Sequence, residues 1–127
     1  MLVKTTHDGS RNATVQVVCD NWIAEQFKVI DPSRLIGTPR HLKIDAIHYV
    51  VSDGVEVRVA WETDNEIHEV LPLSGRGKMD FESSGGLHAT TSEDNVGISV
   101  RTIGLKPDAG QCLFTLIFDL SKHVGDR

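Results

Sequence analysis

An all-β fold is what this sequence predicts: an antiparallel β-sandwich or jelly roll of about seven to eight short strands. Three observations predict it. Apolar residues recur at every second position in several runs, turn residues punctuate those runs at hairpin-like spacing, and no amphipathic helical pattern outlasts a couple of turns. An alternating βαβ fold would need several longer helical patterns, and the chain has none. With 127 residues, 39% of them hydrophobic and 24% charged, the chain is long enough to bury roughly two-thirds of its unfolded surface. It is also too apolar for a disordered chain. A single domain over residues 12–124 is expected, preceded by a flexible N-terminal arm over 1–11.

The arm is read from its composition. Residues 1–11 hold few apolar side chains and include Asp8-Gly9-Ser10, so order is expected to begin at Asn12. From there Ala13, Val15, Val17 and Cys19 alternate with Thr14, Gln16 and Val18, the period-2 pattern of a half-buried strand. Residues 20–25 are open between a loop and a short helical turn capped by Asp20 or Asn21. Phe27 to Ile30 resumes as a strand, and Asp31-Pro32-Ser33 stops it, with a second break at Gly37-Thr38-Pro39.

Residues 41–51 run into Asp53-Gly54 and out through Val55, Val57, Val59 and Trp61, which reads as a β-hairpin closed by a type I′ turn. The outgoing strand places Glu56, Arg58 and Glu62 on a wet face. On the incoming strand the apolar phase slips, from Leu42 and Ile44 to Ile47, Tyr49 and Val51, so a β-bulge is expected near Asp45-Ala46. A short strand from Ile67 to Leu71 ends at Pro72, and residues 74–93 read as a long Gly/Ser-rich connection pinned by Met79 and Phe81. Val96, Ile98 and Val100 share one strand face. The last strand, Cys112 to Leu120, follows the turn at Lys106-Pro107-Asp108-Ala109-Gly110. It is apolar on nearly both faces and belongs at the centre of a sheet, because at an edge it would template aggregation.

Function classes are narrowed by what the residues fail to form. The net charge of -5 opposes the phosphate contacts that drive nucleic-acid binding. No run reaches the ~20 apolar residues of a membrane span, and the opening residues are too polar for a secretory signal, so synthesis in the cytoplasm is expected. On that expectation the sequon Asn12-Ala13-Thr14 is a chance match. Cys19 and Cys112 have no metal-ligand spacing and read as two buried thiols rather than a disulfide. The six histidines are scattered, without HxH or HExxH spacing, so neither a metal nor a cofactor is expected.

Glu62, Asp64, Glu66 and Glu69 form the one dense carboxylate run. A Ca²⁺ loop would need a glycine inside it, and a solvated hairpin tip is the better reading. Ser74-Gly75-Arg76-Gly77-Lys78 lacks the GxxxxGK[ST] spacing of a phosphate cradle and reads as a flexible loop carrying two cations. No nucleophile motif is present, and no enzyme activity is expected. What remains is binding to other proteins, with Lys4, Thr5, Thr6, Arg11, Arg76 and Lys78 as the candidate partner contacts. A carbohydrate-binding module is less favoured, since Trp22, Tyr49 and Trp61 are the only large polar-edged rings and Trp61 shares its face with three valines.

Several stretches carry a family resemblance. They are residues 4–12 (Lys-Thr-Thr-His-Asp-Gly-Ser-Arg-Asn), residues 42–49 (Leu-Lys-Ile-Asp-Ala-Ile-His-Tyr), Trp61, Phe81 with Gly85-Gly86-Leu87, and residues 115–122 (Thr-Leu-Ile-Phe-Asp-Leu-Ser-Lys). Together they resemble small structural proteins of tailed bacteriophages over most of the chain, while Asn21–Gln26 and Glu62–Glu69 depart from that pattern. The resemblance implies a virion structural protein, a capsid decoration (cement) protein bound to the major capsid protein at the capsid surface. The alternative it leaves is a head-tail connector or tail component. It further implies a homo-oligomer, trimer or dimer, that ties lattice neighbours together.

Overall fold

A computed structural model describes residues 1–89, 95–104 and 113–123, and the fold is two antiparallel sheets packed face to face. The strands are β1 (Leu2–Asp8), β2 (Asn12–Cys19), β3 (Phe27–Ile30), β4 (His41–Val51), β5 (Val55–Glu62), β6 (Ile67–Leu73), β7 (Arg76–Asp80), β8 (Leu87–His88), β9 (Gly97–Gly104) and β10 (Phe114–His123). The six-stranded sheet runs β1-β2-β10-β4-β7, with β8 also paired to β4, and the four-stranded sheet runs β3-β9-β5-β6. Among the described residues, no helix is long and apolar enough to cross a membrane.

The core follows from period-2 alternation on the inner strands. Val15 and Val17 on β2, Ile44 and Ile47 on β4, and Leu116, Phe118 and Leu120 on β10 point from one sheet. Val57 and Val59 on β5 and Ile98 and Val100 on β9 meet them from the other, all fully buried. β10 lies between β2 and β4, so its backbone is paired on both sides, as its apolar composition requires. The slip in β4 is a bulge: Asp119 faces Ala46 while the next residue, Leu120, faces Ile44, leaving Asp45 as the extra residue. That extra residue returns Ile47 to the core face already used by Leu42 and Ile44.

Three expectations are corrected. Residues 2–8 are not an arm outside the domain: they form β1, paired antiparallel to β2. Their polarity reflects an edge strand exposed on both faces, since main-chain pairing needs no apolar side chain. β4 and β5 are not a hairpin, because they belong to different sheets. Gly54 has φ 78 and Asp53 is not among the positive-φ residues, whereas a type I′ turn needs φ > 0 at both centres. The Ser52–Val55 turn, closed by Val55 N–H to Ser52 O at 3.1 Å, instead carries the chain from one sheet to the other.

The third correction is at residues 74–93, where β7 and β8 extend the larger sheet from β4, and Arg76 to Lys78 are strand rather than loop. β6 likewise continues through Pro72 to Leu73; as the edge strand it can hold a proline whose missing N–H is not needed on the solvent side. Residues 20–25, which the sequence leaves open, form no helical turn. Ile23 is instead pinned by buried Thr102, whose N–H donates to Ile23 O at 2.7 Å and whose hydroxyl accepts from Ile23 N–H at 2.9 Å.

Asp31 ends β3 as its chemistry predicts: its carboxylate accepts from Ser33 N–H at 3.0 Å and caps the 3-10 turn at Pro32–Arg34. Cys19 is buried, and its Sγ donates to Asn21 O at 3.0 Å. Cys112 and the turn at Lys106–Gly110 lie outside the described residues. Where β9 ends, Gly104 has φ 106, and a Cβ there would sit 2.3 Å from Gly54 O. Gly104→Ala should therefore lower the melting temperature and cost about 2 kcal/mol or more, combining backbone strain with a clash that has no side chain to move aside.

Candidate interaction surfaces

The two sheets present different outer faces to solvent. On the four-stranded sheet, Arg58 and Arg101 stand directly opposite each other on β5 and β9, an arrangement that repels unless something lies between. Glu69 from β6 lies between them, accepting from Arg101 Nε at 2.5 Å and Nη2 at 3.2 Å, with Arg58 Nη1 at 3.6 Å. Gln26 adds a hydrogen bond to Glu69 at 3.2 Å, Glu56 pairs with Arg58, and Lys28 with Glu62 at 3.8 Å. The hydrogen bond from Arg101 holds the Glu69 carboxyl below its ordinary value against the opposing effect of burial, with the charges of Arg101 and Arg58 adding to it. The charges of this face pair with one another, and exposed Ile67 sits opposite Glu62 at its β6 edge.

The carboxylate run is thereby dispersed. Glu62 and Glu69 turn to separate cations, Glu66 contacts His68, and the β5–β6 tip is closed by Thr63, whose hydroxyl accepts from the N–H groups of Asn65 at 3.2 Å and Glu66 at 2.9 Å. It is a hairpin tip. No cluster of three or more His, Cys, Asp or Glu suited to a metal ion occurs among the described residues.

The outer face of the six-stranded sheet is different. Strand registers define two rows across its width: Leu2, Val18, Thr115, Val50 and Arg76, then Lys4, Gln16, Ile117, His48 and Lys78. Leu2 is 62% and Val50 53% exposed, while Val18 and Ile117 are half-buried. The centre of the face thus mixes apolar Val18, Val50 and Ile117 with Gln16, Thr115 and His48, with Lys4 at one edge and Arg76 and Lys78 at the other, roughly 19 Å apart at four strand spacings. Among the described residues Lys4 and Arg76 pair with no carboxylate; Lys78 lies 3.7 Å from Asp80 and His48 3.5 Å from Asp119. Between β4, β7 and β10 the face dips into a depression of about 300 Å³ lined by His48, Val50, Arg76, Thr115 and Ile117. On the opposite, inter-sheet side of the same strands, Gly77 makes room for the Tyr49 ring, since a Cβ there would sit 3.0 Å from the Tyr49 hydroxyl.

Three of the six sequence-derived contact residues, Lys4, Arg76 and Lys78, therefore share one face. Thr5 is opposite Val15 and points toward the inter-sheet side, Thr6 is the extra residue of a bulge in β1 and donates to Thr14 O at 3.3 Å, and Arg11 lies in the β1–β2 turn. Sequence reasoning missed Leu2, Val18, Val50 and Ile117. For Val18, Val50 and Ile117 the signal was present as apolar residues in the outward phase of otherwise alternating strands; for Leu2, on a strand without alternation, there was none. Of the three large polar-edged rings, Trp61 is 2% exposed in the core, and Trp22 and Tyr49 are half-buried.

Fold and surface together define a class: a two-sheet antiparallel sandwich with one face of mutually paired charges and one partly apolar, cation-flanked face. In comparison with protein-family models, curated proteins and solved structures, the chain matches none.

Proposed function

We propose that the chain is a structural component of a tailed-phage virion, a decoration protein that lays the outer face of its six-stranded sheet on the lattice of the major capsid protein. The contrast between the two outer faces carries this reading. Charges on the four-stranded sheet already satisfy one another, so little is gained by covering them. Covering Leu2, Val18, Val50 and Ile117 removes apolar surface from water, and Lys4, Arg76 and Lys78 complement an acidic partner surface. The sequence resemblance to phage structural proteins supplies the partner.

Such a patch spans roughly 19 Å across the strands and about 7 Å along them between its two rows, well below the ~800 Å² per partner of a standard interface. A single contact would be weak, and repetition over a lattice would supply avidity. Cosedimentation of the purified full chain with expanded capsids tests the reading. Binding at many lattice positions is expected, weakening with salt and falling at least about tenfold in a Lys4→Glu/Arg76→Glu/Lys78→Glu variant. Absence of binding, or binding that ignores the three reversals, defeats the proposal. Occupancy of a single vertex would point to the connector or tail reading.

A further inference from the structure

We infer that two copies of this chain pair antiparallel through β1, about a twofold axis at Val3, into one sheet that runs through both. β1 is an edge strand of seven residues, exposed from Leu2 to His7, and nothing in the described fold pairs its outer edge. Beneath it the sandwich is open. β1 overhangs the edge of the four-stranded sheet, leaving a groove of about 500 Å³ between β1 and β3. Its walls include Val3, Val15, Phe27, Val29 and Leu35, and Phe27 is 52% and Val3 39% exposed. Both walls are edge strands, so the opening faces sideways, where a second copy would arrive.

The register is selected by charge and by backbone geometry. In an antiparallel pair related by a twofold axis through the sheet, facing residues lie on the same face, so the axis falls on a residue position. Centring on Lys4 sets two ammonium groups directly opposite, which destabilises a cross-strand pair. Centring on Thr5 draws in the bulge at Thr6, where the spacing of β1 is irregular. Centring on Val3 uses the regular part of the strand, faces Lys4 with Leu2 of the second copy, and sets the two Val3 side chains together on the groove side. The two grooves then merge into one interior, into which each copy contributes Phe27. Lys28, Arg34 and Asp31 also line the groove, so its wall carries both signs of charge. The pairing uses the sheet edge and leaves the outer face open, so it stands independently of the capsid reading.

Sedimentation equilibrium of the isolated full chain over a concentration series tests it, with cross-linking as the second readout. A reversible monomer–dimer equilibrium is expected. Val3→Asp, at an exposed position that the fold of one copy does not need, should weaken it at least about tenfold by setting two carboxylates side by side in an apolar contact. Val3→Cys should form an intermolecular disulfide on oxidation, since facing Cβ atoms lie ~4.5–5.5 Å apart. Lys4→Cys should not, because the diagonal spacing of ~7–8 Å exceeds disulfide geometry. A monomer throughout the series overturns the inference. So does a dimer indifferent to Val3→Asp, or one that Val3→Cys and Lys4→Cys cross-link equally.

Discussion

Phe118→Ala is expected to lower the free energy of unfolding by about 3–5 kcal/mol. Phe118 is fully buried at the middle of β10, where its strand neighbours are Val15 on β2 and Ile47 on β4, and it faces the valines of the opposite sheet. Three elements close over it, so truncation leaves a cavity that the surrounding strands cannot collapse into without breaking pairing. Against the ~5–15 kcal/mol of a typical domain, this is a large fraction of the total. Ile117→Ala, one residue along, removes a half-buried side chain from the outer face and should cost under about 1 kcal/mol. Urea denaturation of both variants measures the difference. A larger loss from Ile117→Ala than from Phe118→Ala would mean that the two faces of β10 are assigned the wrong way round.

That contrast between adjacent residues is legible in the amino-acid sequence, though only where one face of a strand is buried. β2, β5 and β10 announce themselves because alternate side chains are forced inward, and the bulge in β4 shows as a break in the phase. β1 and β7 are not legible as strands. All five residues of β7 but Met79 are exposed, as are six of seven in β1, so no alternation marks them and composition suggests a loop. What holds them is main-chain pairing to β2 and β4, which leaves no trace in residue type.

The destination of the Asp53-Gly54 turn is hidden for another reason. Turn chemistry is local, whereas the sheet that receives β5 depends on which strands compete for its edges, and β9 and β6 occupy both. The candidate surface is half legible. The cations can be singled out, but their convergence depends on β1 and β7 flanking the same sheet, which the sequence shows for neither. Distant segments must be placed side by side before Lys4, Val50, Ile117 and Lys78 become one face.

Lys122→Met should cost about 3 kcal/mol at neutral pH and flatten the acid limb of the stability curve. The Lys122 side chain is wholly covered, and its ammonium group donates to the Asp8 carboxylate, to Gly9 O at 2.5 Å and to Ile36 O at 3.0 Å. All three of its donors are used. Asp8 in turn accepts from Ile36 N–H at 3.0 Å, and Lys122 N–H donates to Arg11 O at 2.7 Å. One residue thus ties the end of β10 to the end of β1, the β1–β2 turn and the loop after the 3-10 helix. Removing one partner of such a pair strands the other, which costs about 3–5 kcal/mol when both are buried; Asp8 is 21% exposed, so the lower end applies.

The acid limb has a defined sign. Burial alone would raise the Asp8 carboxyl, but the hydrogen bonds from Lys122 and from the Ile36 N–H, with the charges of Lys122 and His7, outweigh it and hold Asp8 below its ordinary value. A carboxyl depressed in the folded state contributes stability that is fully present above its unfolded value of about 3.9 and is lost as pH falls through the lower folded value. Lys122→Met removes the principal cause of the depression, so the variant should lose less stability than the parent on acidification through that window. Asp8→Asn, which keeps the shape without the charge, should flatten the same limb. Denaturation midpoints measured down the pH series decide it: parallel acid limbs in all three proteins would show that Asp8 is not held by Lys122.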